Sequence, residues 1–215
     1  MKGGVGMNNK TCYIFAAGDY EGFFSAQKSD LTIAADAGYH LAKRLGIQPD
    51  ILLGDFDTIG VVPTHPEIIK FNPEKDYTDT ELAIIEGIKR GYGDFVILGA
   101  LGGKRLEHTL GNLAIAAGYA EKGYSVTLTD GNYCAKALYN GEMTFDEDNS
   151  GFISVFCTSG KAKGVTIIGL KYCLENAELN SSCPTLGVSN EFIGKRANIS
   201  VKDGTLIIIW QKSKK

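Results

Sequence analysis

Residues 51–58 read ILLGDFDT, three aliphatic side chains closed by a glycine and followed by an alternating pair of acids. Ile51–Leu53 carries no polar residue, so the strand it predicts is covered on both faces. The same form recurs upstream in LTIAADAG (31–38), where Leu31–Ala35 precedes Asp36, and downstream in Ile68–Phe71, which precedes Asp76 and Asp79. Thr11–Ala16, Phe95–Leu98 and Ser125–Leu128 are further strands of this kind. Helical periodicity fills the gaps. Thr78 and Glu81 form a capping box ahead of Leu82, Ile85 and Ile88, with a stop at Gly91. Leu106, Leu110, Leu113 and Ala117 predict one apolar stripe on a second helix that ends near Gly123. Strands alternating with helices make an α/β domain with a mostly parallel sheet and helices on both sides.

Beyond Asn132 the helical period disappears. Tyr133–Leu138, Gly151–Cys157, Val165–Leu170, Ala197–Val201 and Thr205–Trp210 read as strands, and Lys202-Asp203-Gly204 reads as a hairpin connection. So many strands in so short a stretch predict a small all-β sandwich or barrel. The turn signal Asp130-Gly131-Asn132 divides the chain into an α/β domain, 1–131, and a β domain, 132–215.

Composition removes several function classes. The chain has 215 residues, 22 basic against 25 acidic, and a net charge of −3, which offers no basic field for nucleic acid. No apolar run reaches the roughly 18 residues that span a bilayer. The opening MKGGVGMNNK lacks an apolar core of leader length, which predicts a cytoplasmic protein; its glycines are not expected to hold an element, and Met7 is a second candidate start. Five cysteines, odd in number and without C-x-x-C spacing, read as reduced structural thiols. His40 and His65 have no metal-ligand spacing and read as structural, and no nucleophile elbow is present.

Acids follow three successive strands: Asp36, then Asp55 and Asp57, then Asp76 and Asp79. Open parallel sheets bind ligands beyond the carboxyl ends of their strands, so these turns are candidates for one crevice. Carboxylates gathered there repel one another unless a cation compensates. Mg²⁺ fits, because it takes a few carboxylates together with phosphate oxygens. In extended backbone Asp55 and Asp57 project to one side across Phe56. Taken alone, the pair is more simply two surface aspartates in a turn; three acidic turns, each at a strand end, favour a shared site. Asp79 also suits the start of its helix, where a carboxylate complements the dipole.

Phosphate needs donors opposite those acids. Gly99-Ala100-Leu101-Gly102-Gly103-Lys104-Arg105 follows a strand and enters a helix, bringing backbone N–H groups and a helix N-terminus to an anion. It is not a Walker loop, since Arg105 stands where Ser or Thr would follow the lysine. Arg105, His108 and Asn112 share a helix face distinct from the leucine stripe. A solvated first helical turn is the plainer alternative for that face.

GDFDT, KDYTDTE, GALGGKRLEHTLGNL and TLGVSNEFIGK, in this order over about 190 residues, resemble bacterial thiamine pyrophosphokinases. The resemblance implies an α/β nucleotide-binding domain followed by a β-sandwich, and a homodimer with thiamine bound where domains of two subunits meet. It implies transfer of the diphosphate of ATP to the hydroxyethyl oxygen of thiamine, leaving AMP. Asp55, Asp57 and Asp79 would hold Mg²⁺ and the ATP phosphates, with Asp36 also at the site. Lys75, Thr78, Gly102, Arg105, His108 and Asn112 fall on the ATP side. Ser189 and Asn190 match a Ser-Asn pair that contacts thiamine, and Tyr172 offers an aromatic wall to the thiazolium, with Asn190 suited to hydrogen-bond the aminopyrimidine. A core or sheet-surface tyrosine is the other reading of Tyr172. The chain departs from the family pattern at Glu107, where Asp is usual, at Thr58, where Ser is usual, and at Cys173, often Pro. The competing reading of the acids is another Mg²⁺-dependent transferase that uses Asp-x-Asp on a nucleotide diphosphate; a non-catalytic nucleotide or vitamin sensor is the third.

Overall fold

Every residue of Leu31–Ala35 and of Ile51–Gly54 is buried, as strands covered on both faces must be. The computed structural model describes residues 10–213 apart from 29, 58–63, 73, 75, 104, 159 and 181. Met7 and the glycine-bearing start, Thr58, Lys75 and Lys104 therefore lie outside the described residues. Thr11–Phe15 (β1), Leu31–Ala35 (β2), Ile51–Gly54 (β3), Ile68–Lys70 (β4), Asp94–Leu98 (β5) and Ser125–Thr129 (β6) pair in parallel, in the order β6-β5-β1-β2-β3-β4.

The strand period sends alternate residues to two cores. Cys12 and Ile14 pack with Leu82, Ala83 and Ile84 of α2 (Asp79–Lys89) and with Ala116 and Tyr119 of α3 (Leu106–Glu121). Phe15 faces the other way, into a cluster with Tyr20, Phe56 and with Leu41 and Ala42 of α1 (Gly38–Arg44). Helices thus cover both faces, as alternation requires. The Thr78 hydroxyl accepts from the Glu81 N–H at 3.2 Å and caps α2, an arrangement worth about 1 kcal/mol.

The second half comprises Tyr133–Tyr139 (β7), Glu142–Phe145 (β8), Phe152–Cys157 (β9), Lys161–Ile168 (β10), Leu174–Asn180 (β11), Asn190–Glu191 (β12), Ala197–Ser200 (β13) and Thr205–Gln211 (β14). β7 pairs antiparallel with β6, so the parallel sheet continues outward as β7-β14-β9-β12. A separate sheet, β11-β10-β13-β8, lies over this extension. Ile153, Val155, Leu206 and Ile208 from one layer meet Ala162, Val165, Ile167 and Ile199 from the other. The result is a sandwich in which one layer is also the flank of the parallel sheet.

Two expectations are corrected. Lys202-Asp203-Gly204 is not a hairpin: β13 pairs with β8 and β10, whereas β14 pairs with β7 and β9. The turn is a corner between layers, held by the Asp203 N–H to the Lys163 carbonyl at 3.2 Å and the Gly204 N–H to Asn140 Oδ1 at 2.9 Å. The leucine stripe of α3 is covered only in its second half, where Leu113 and Ala117 pack against the sheet-side core. Leu106 and Leu110 are 69% and 60% exposed, and the face laid on the sheet is Asn112, Ala116 and Tyr119. Ala116, fully buried, lets the middle of the helix approach closely, while the first turn stands clear of the sheet.

Burial pushes the Cys12 thiol up to about 12, while Cys173 and Cys183 are exposed. In iodoacetamide labelling at pH 8 the two exposed cysteines should react first and Cys12 only after denaturation, because the thiolate is the reactive form. Early loss of Cys12 from the peptide map would contradict this packing.

Candidate active site

The order β6-β5-β1-β2-β3-β4 has its switch point between β1 and β5, where open α/β sheets form a crevice at the carboxyl ends. There the Gly18 N–H donates to the Gly99 carbonyl at 3.0 Å. A Cβ on Gly99 would lie 2.8 Å from the Gly18 carbonyl oxygen, so the two loops meet only because both residues lack side chains. The second loop continues through Gly102, and Asn112, buried on α3, donates from Nδ2 to the Ala100 carbonyl at 2.9 Å. Asn112 thereby holds the glycine loop in shape. The Arg105 side chain makes no cap bond at the start of α3, and the His108 N–H closes the first turn on the Arg105 carbonyl at 3.1 Å.

Beside this crevice stand the acids. Asp36 follows β2 with φ 45°, its N–H bonded to the Leu53 carbonyl at 2.7 Å, which ties the end of β2 to β3. Asp55 follows β3, and Asp79 is the first residue of α2. One carboxylate oxygen from each of Asp36, Asp55 and Asp79 lies within 4.8 Å of the other two. Two unit charges at that separation repel by roughly 3 kcal/mol at an effective dielectric of about 20. Asp36 Oδ1 is buried and has no hydrogen-bond partner among the described residues. Three carboxylates so gathered, one of them with a buried oxygen that has no partner among the described residues, form the donor set of a hard divalent cation and fit Mg²⁺.

Asp57 is not one of the converging three. The expectation that it alternates with Asp55 presumed extended backbone across Phe56. Phe56 instead adopts φ 63° and buries its ring in the α1-side core, so the chain turns there and Asp57 is exposed. Its N–H donates to Asp55 Oδ1 at 3.2 Å and helps set that carboxylate. Asp36 replaces it in the cluster because β2 and β3 are adjacent, a neighbourhood that sequence spacing does not reveal.

On the basic side, Arg105 Nε donates to Glu107 Oε1 at 2.7 Å, both groups being largely exposed. The guanidinium holds the Glu107 carboxyl below the usual carboxylate range. His108 is exposed in the same turn, and Thr109, unmarked by any motif, bonds the Gly102 carbonyl at 3.3 Å.

Tyr172, Ser189 and Asn190 gather elsewhere. The Tyr172 N–H donates to Asn190 Oδ1 at 2.9 Å, and the Ser189 N–H to Ser154 Oγ at 3.0 Å. Ser154 carries no sequence signal; it is found only because β9 runs beside this loop. β12 lies seven strands from β2 in the large sheet, and at ~4.8 Å per strand that is roughly 34 Å. One chain therefore brings the acids together and the Tyr-Ser-Asn set together, but not the two sets to each other. A cavity of about 910 Å³ is lined by Glu21, Phe23, Asp146 and Trp210 among others, and by none of the three converging acids.

Two family patterns match successive parts of the chain. The pattern of the thiamin pyrophosphokinase catalytic domain matches residues 25–128, and that of the thiamin pyrophosphokinase vitamin B1 binding domain matches residues 142–206. A thiamine pyrophosphokinase of Bacillus subtilis (strain 168) is 30% identical over 186 residues, 83% of this chain and 86% of that protein. The crystal structure of thiamine pyrophosphokinase from Bacillus subtilis superposes with a TM-score of 0.80 at 25% identity, covering 95% of this chain and 100% of that one. Thiamin pyrophosphokinase from Candida albicans shares the fold, with a TM-score of 0.71 at 16% identity over 95% of this chain and 90% of the other.

Proposed function

The chain belongs to the thiamine pyrophosphokinase family, and from that premise we propose that it transfers the diphosphate of ATP to thiamine, releasing AMP. The observation that carries the reading is the convergence of Asp36, Asp55 and Asp79 within 4.8 Å, with Asp36 Oδ1 buried and without a hydrogen-bond partner among the described residues. In this reading residues 1–131 handle the nucleotide and residues 132–215 the vitamin.

Asp36, Asp55 and Asp79 are the residues that would hold Mg²⁺, which neutralises charge spreading over the phosphoryl oxygens. The alcohol oxygen of thiamine attacks the β-phosphorus and the bond to the α,β-bridging oxygen breaks. The protein's part in such a displacement is mostly positioning and electrostatics. The Gly99 and Ala100 N–H groups are bonded to the Thr129 carbonyl, so in this reading the Gly102–Gly103 end of the loop and the start of α3 are what face the polyphosphate. Arg105 supplies positive charge once its exposed pairing with Glu107 is exchanged for phosphate. The extra methylene of Glu107 is consistent with that reach back to Arg105. Purified chain, ATP, thiamine and Mg²⁺ should yield thiamine diphosphate and AMP in equal amounts, with loss of turnover in EDTA. Formation of ADP instead would overturn the diphosphate transfer.

The active unit in this reading is a homodimer. Tyr172 and Ser189 lie too far along the sheet to reach the acids of their own chain, so a second copy supplies them, through a self-complementary twofold interface. At thiamine well below KM, where Asp55→Asn and Tyr172→Ala chains are each impaired alone, mixing the two should restore about a quarter of wild-type kcat/KM: half the dimers are mixed and each keeps one intact site. No recovery above the better single variant would sink the shared site. A cytoplasmic setting goes with this reading, supported by five cysteines of which none is bridged in a disulfide; among the described residues no helix is long and apolar enough to cross a membrane.

A further inference from the structure

Asn190 is only 2% exposed, and its amide is largely spent on backbone. Oδ1 accepts from the N–H of Tyr172 at 2.9 Å and of Glu191 at 2.9 Å, and Nδ2 donates to the Tyr172 carbonyl at 2.6 Å. An asparagine amide has two acceptor sites and two donors, so three of its four are used. The orientation is fixed by its partners, since backbone N–H groups only donate and a carbonyl only accepts. A group with both acceptor sites occupied and almost no exposure is poorly placed to read a substrate ring.

The residue it grips is the opposite. Tyr172 sits in the turn between β10 and β11 as an exposed residue, 58% of its surface open, and both polar groups of its peptide backbone end on Asn190. The neighbours complete the clamp. The Lys171 N–H donates to the Glu191 carbonyl at 3.0 Å, and Lys171 Nζ pairs with Glu191 Oε1 at 2.8 Å. That ammonium lies 5.5 Å from the centroid of the Tyr172 ring, so the ring already has a cation beside it.

We infer that Asn190 is a positioning residue: it touches no substrate, and acts by fixing the Tyr172 turn against β12 so that the exposed ring meets the cationic ring of the substrate. This rests on thiamine being the substrate. It reassigns the aminopyrimidine hydrogen bond expected of Asn190 and leaves the ring contact to Tyr172.

A double-mutant cycle decides it. Tyr172→Ala should raise the thiamine KM about tenfold, the loss of a partly desolvated cation–π contact, with kcat within about twofold and the ATP KM unchanged. Asn190→Ala should do the same. In the double variant the second substitution should add less than about twofold, because both remove one interaction. Multiplied effects, or an Asn190→Ala enzyme with a normal thiamine KM, would overturn the inference. If Asn190→Ala does not fold, Asn190→Asp carries the same cycle, keeping the two acceptor bonds and losing the donor. Amide hydrogen exchange needs no substrate: Tyr172 and Glu191 should be protected in the wild type and deprotected by Asn190→Ala, and unchanged protection would refute the clamp. Absence of any thiamine turnover by the wild type, with the exchange result as expected, would locate the failure in the substrate assignment instead.

Discussion

Asp55→Asn should give a folded protein whose AMP release with thiamine falls by on the order of 10²-fold or more. At about 1.4 kcal/mol per decade, that is roughly 3 kcal/mol of lost transition-state stabilisation, within what a bound divalent ion supplies. The substitution changes one oxygen to an amide nitrogen, so packing is nearly conserved while the donor set loses a charge. Metal-free stability should not fall and should rise slightly, because Asp36, Asp55 and Asp79 crowd within 4.8 Å and neutralising one relieves the others. Mg²⁺ should raise the Tm of the wild type by linkage and do so much less for the variant. Thermal unfolding with and without Mg²⁺, beside the AMP assay, reads both. A folded Asp55→Asn enzyme with full turnover and an unchanged Mg²⁺ response would remove the cluster from catalysis.

Gly38→Ala should cost about 3 kcal/mol or more and lower Tm by roughly 6–12 °C. A Cβ at that position would sit 1.8 Å from the Phe15 carbonyl oxygen and 3.0 Å from the Ala16 nitrogen, both backbone of the segment that ends β1. Neither can swing aside as a side chain would. Relief requires α1 to lift, which pulls Leu41 and Ala42 from the cluster they share with Phe15 and Leu52. Because Gly38 closes the turn that begins at Asp36, activity should fall with stability. Gly118→Ala on α3 is the control. Nothing lies within 4 Å of its added Cβ, so helix propensity alone acts and the change should be neutral or stabilising by up to about 1 kcal/mol. Equal Tm values for the two variants, measured by scanning calorimetry, would contradict the close approach of α1 to β1.

The parts of the fold that were legible share one property: their burial is set by local pattern. Leu31–Ala35 and Ile51–Leu53 are apolar throughout and are core strands, and the Thr78–Glu81 cap opens α2 where the hydrophobic period begins. Elements without a local period escaped. α1, with buried Leu41 and Ala42 but a short length, and β11, largely exposed, carry too few apolar positions to stand out. Leu106 and Leu110 misled for the reverse reason: a clean period on a helix turn that tertiary structure leaves uncovered.

Chemistry divides along the same line. That acids follow three consecutive strands, that a glycine-rich loop enters a helix, and that the class is α/β followed by β, are properties of residue type and order, and the sequence determines them alone. Which acids meet is not such a property. Asp36 joins Asp55 and Asp79 because β2 and β3 lie side by side and because Phe56, buried with positive φ, turns the chain away from the alternation its neighbours suggest. Likewise only the packed structure shows Asn190 turned inward onto the Tyr172 backbone. Strand neighbours and side-chain direction arise from contacts far apart in the chain, which local spacing does not encode.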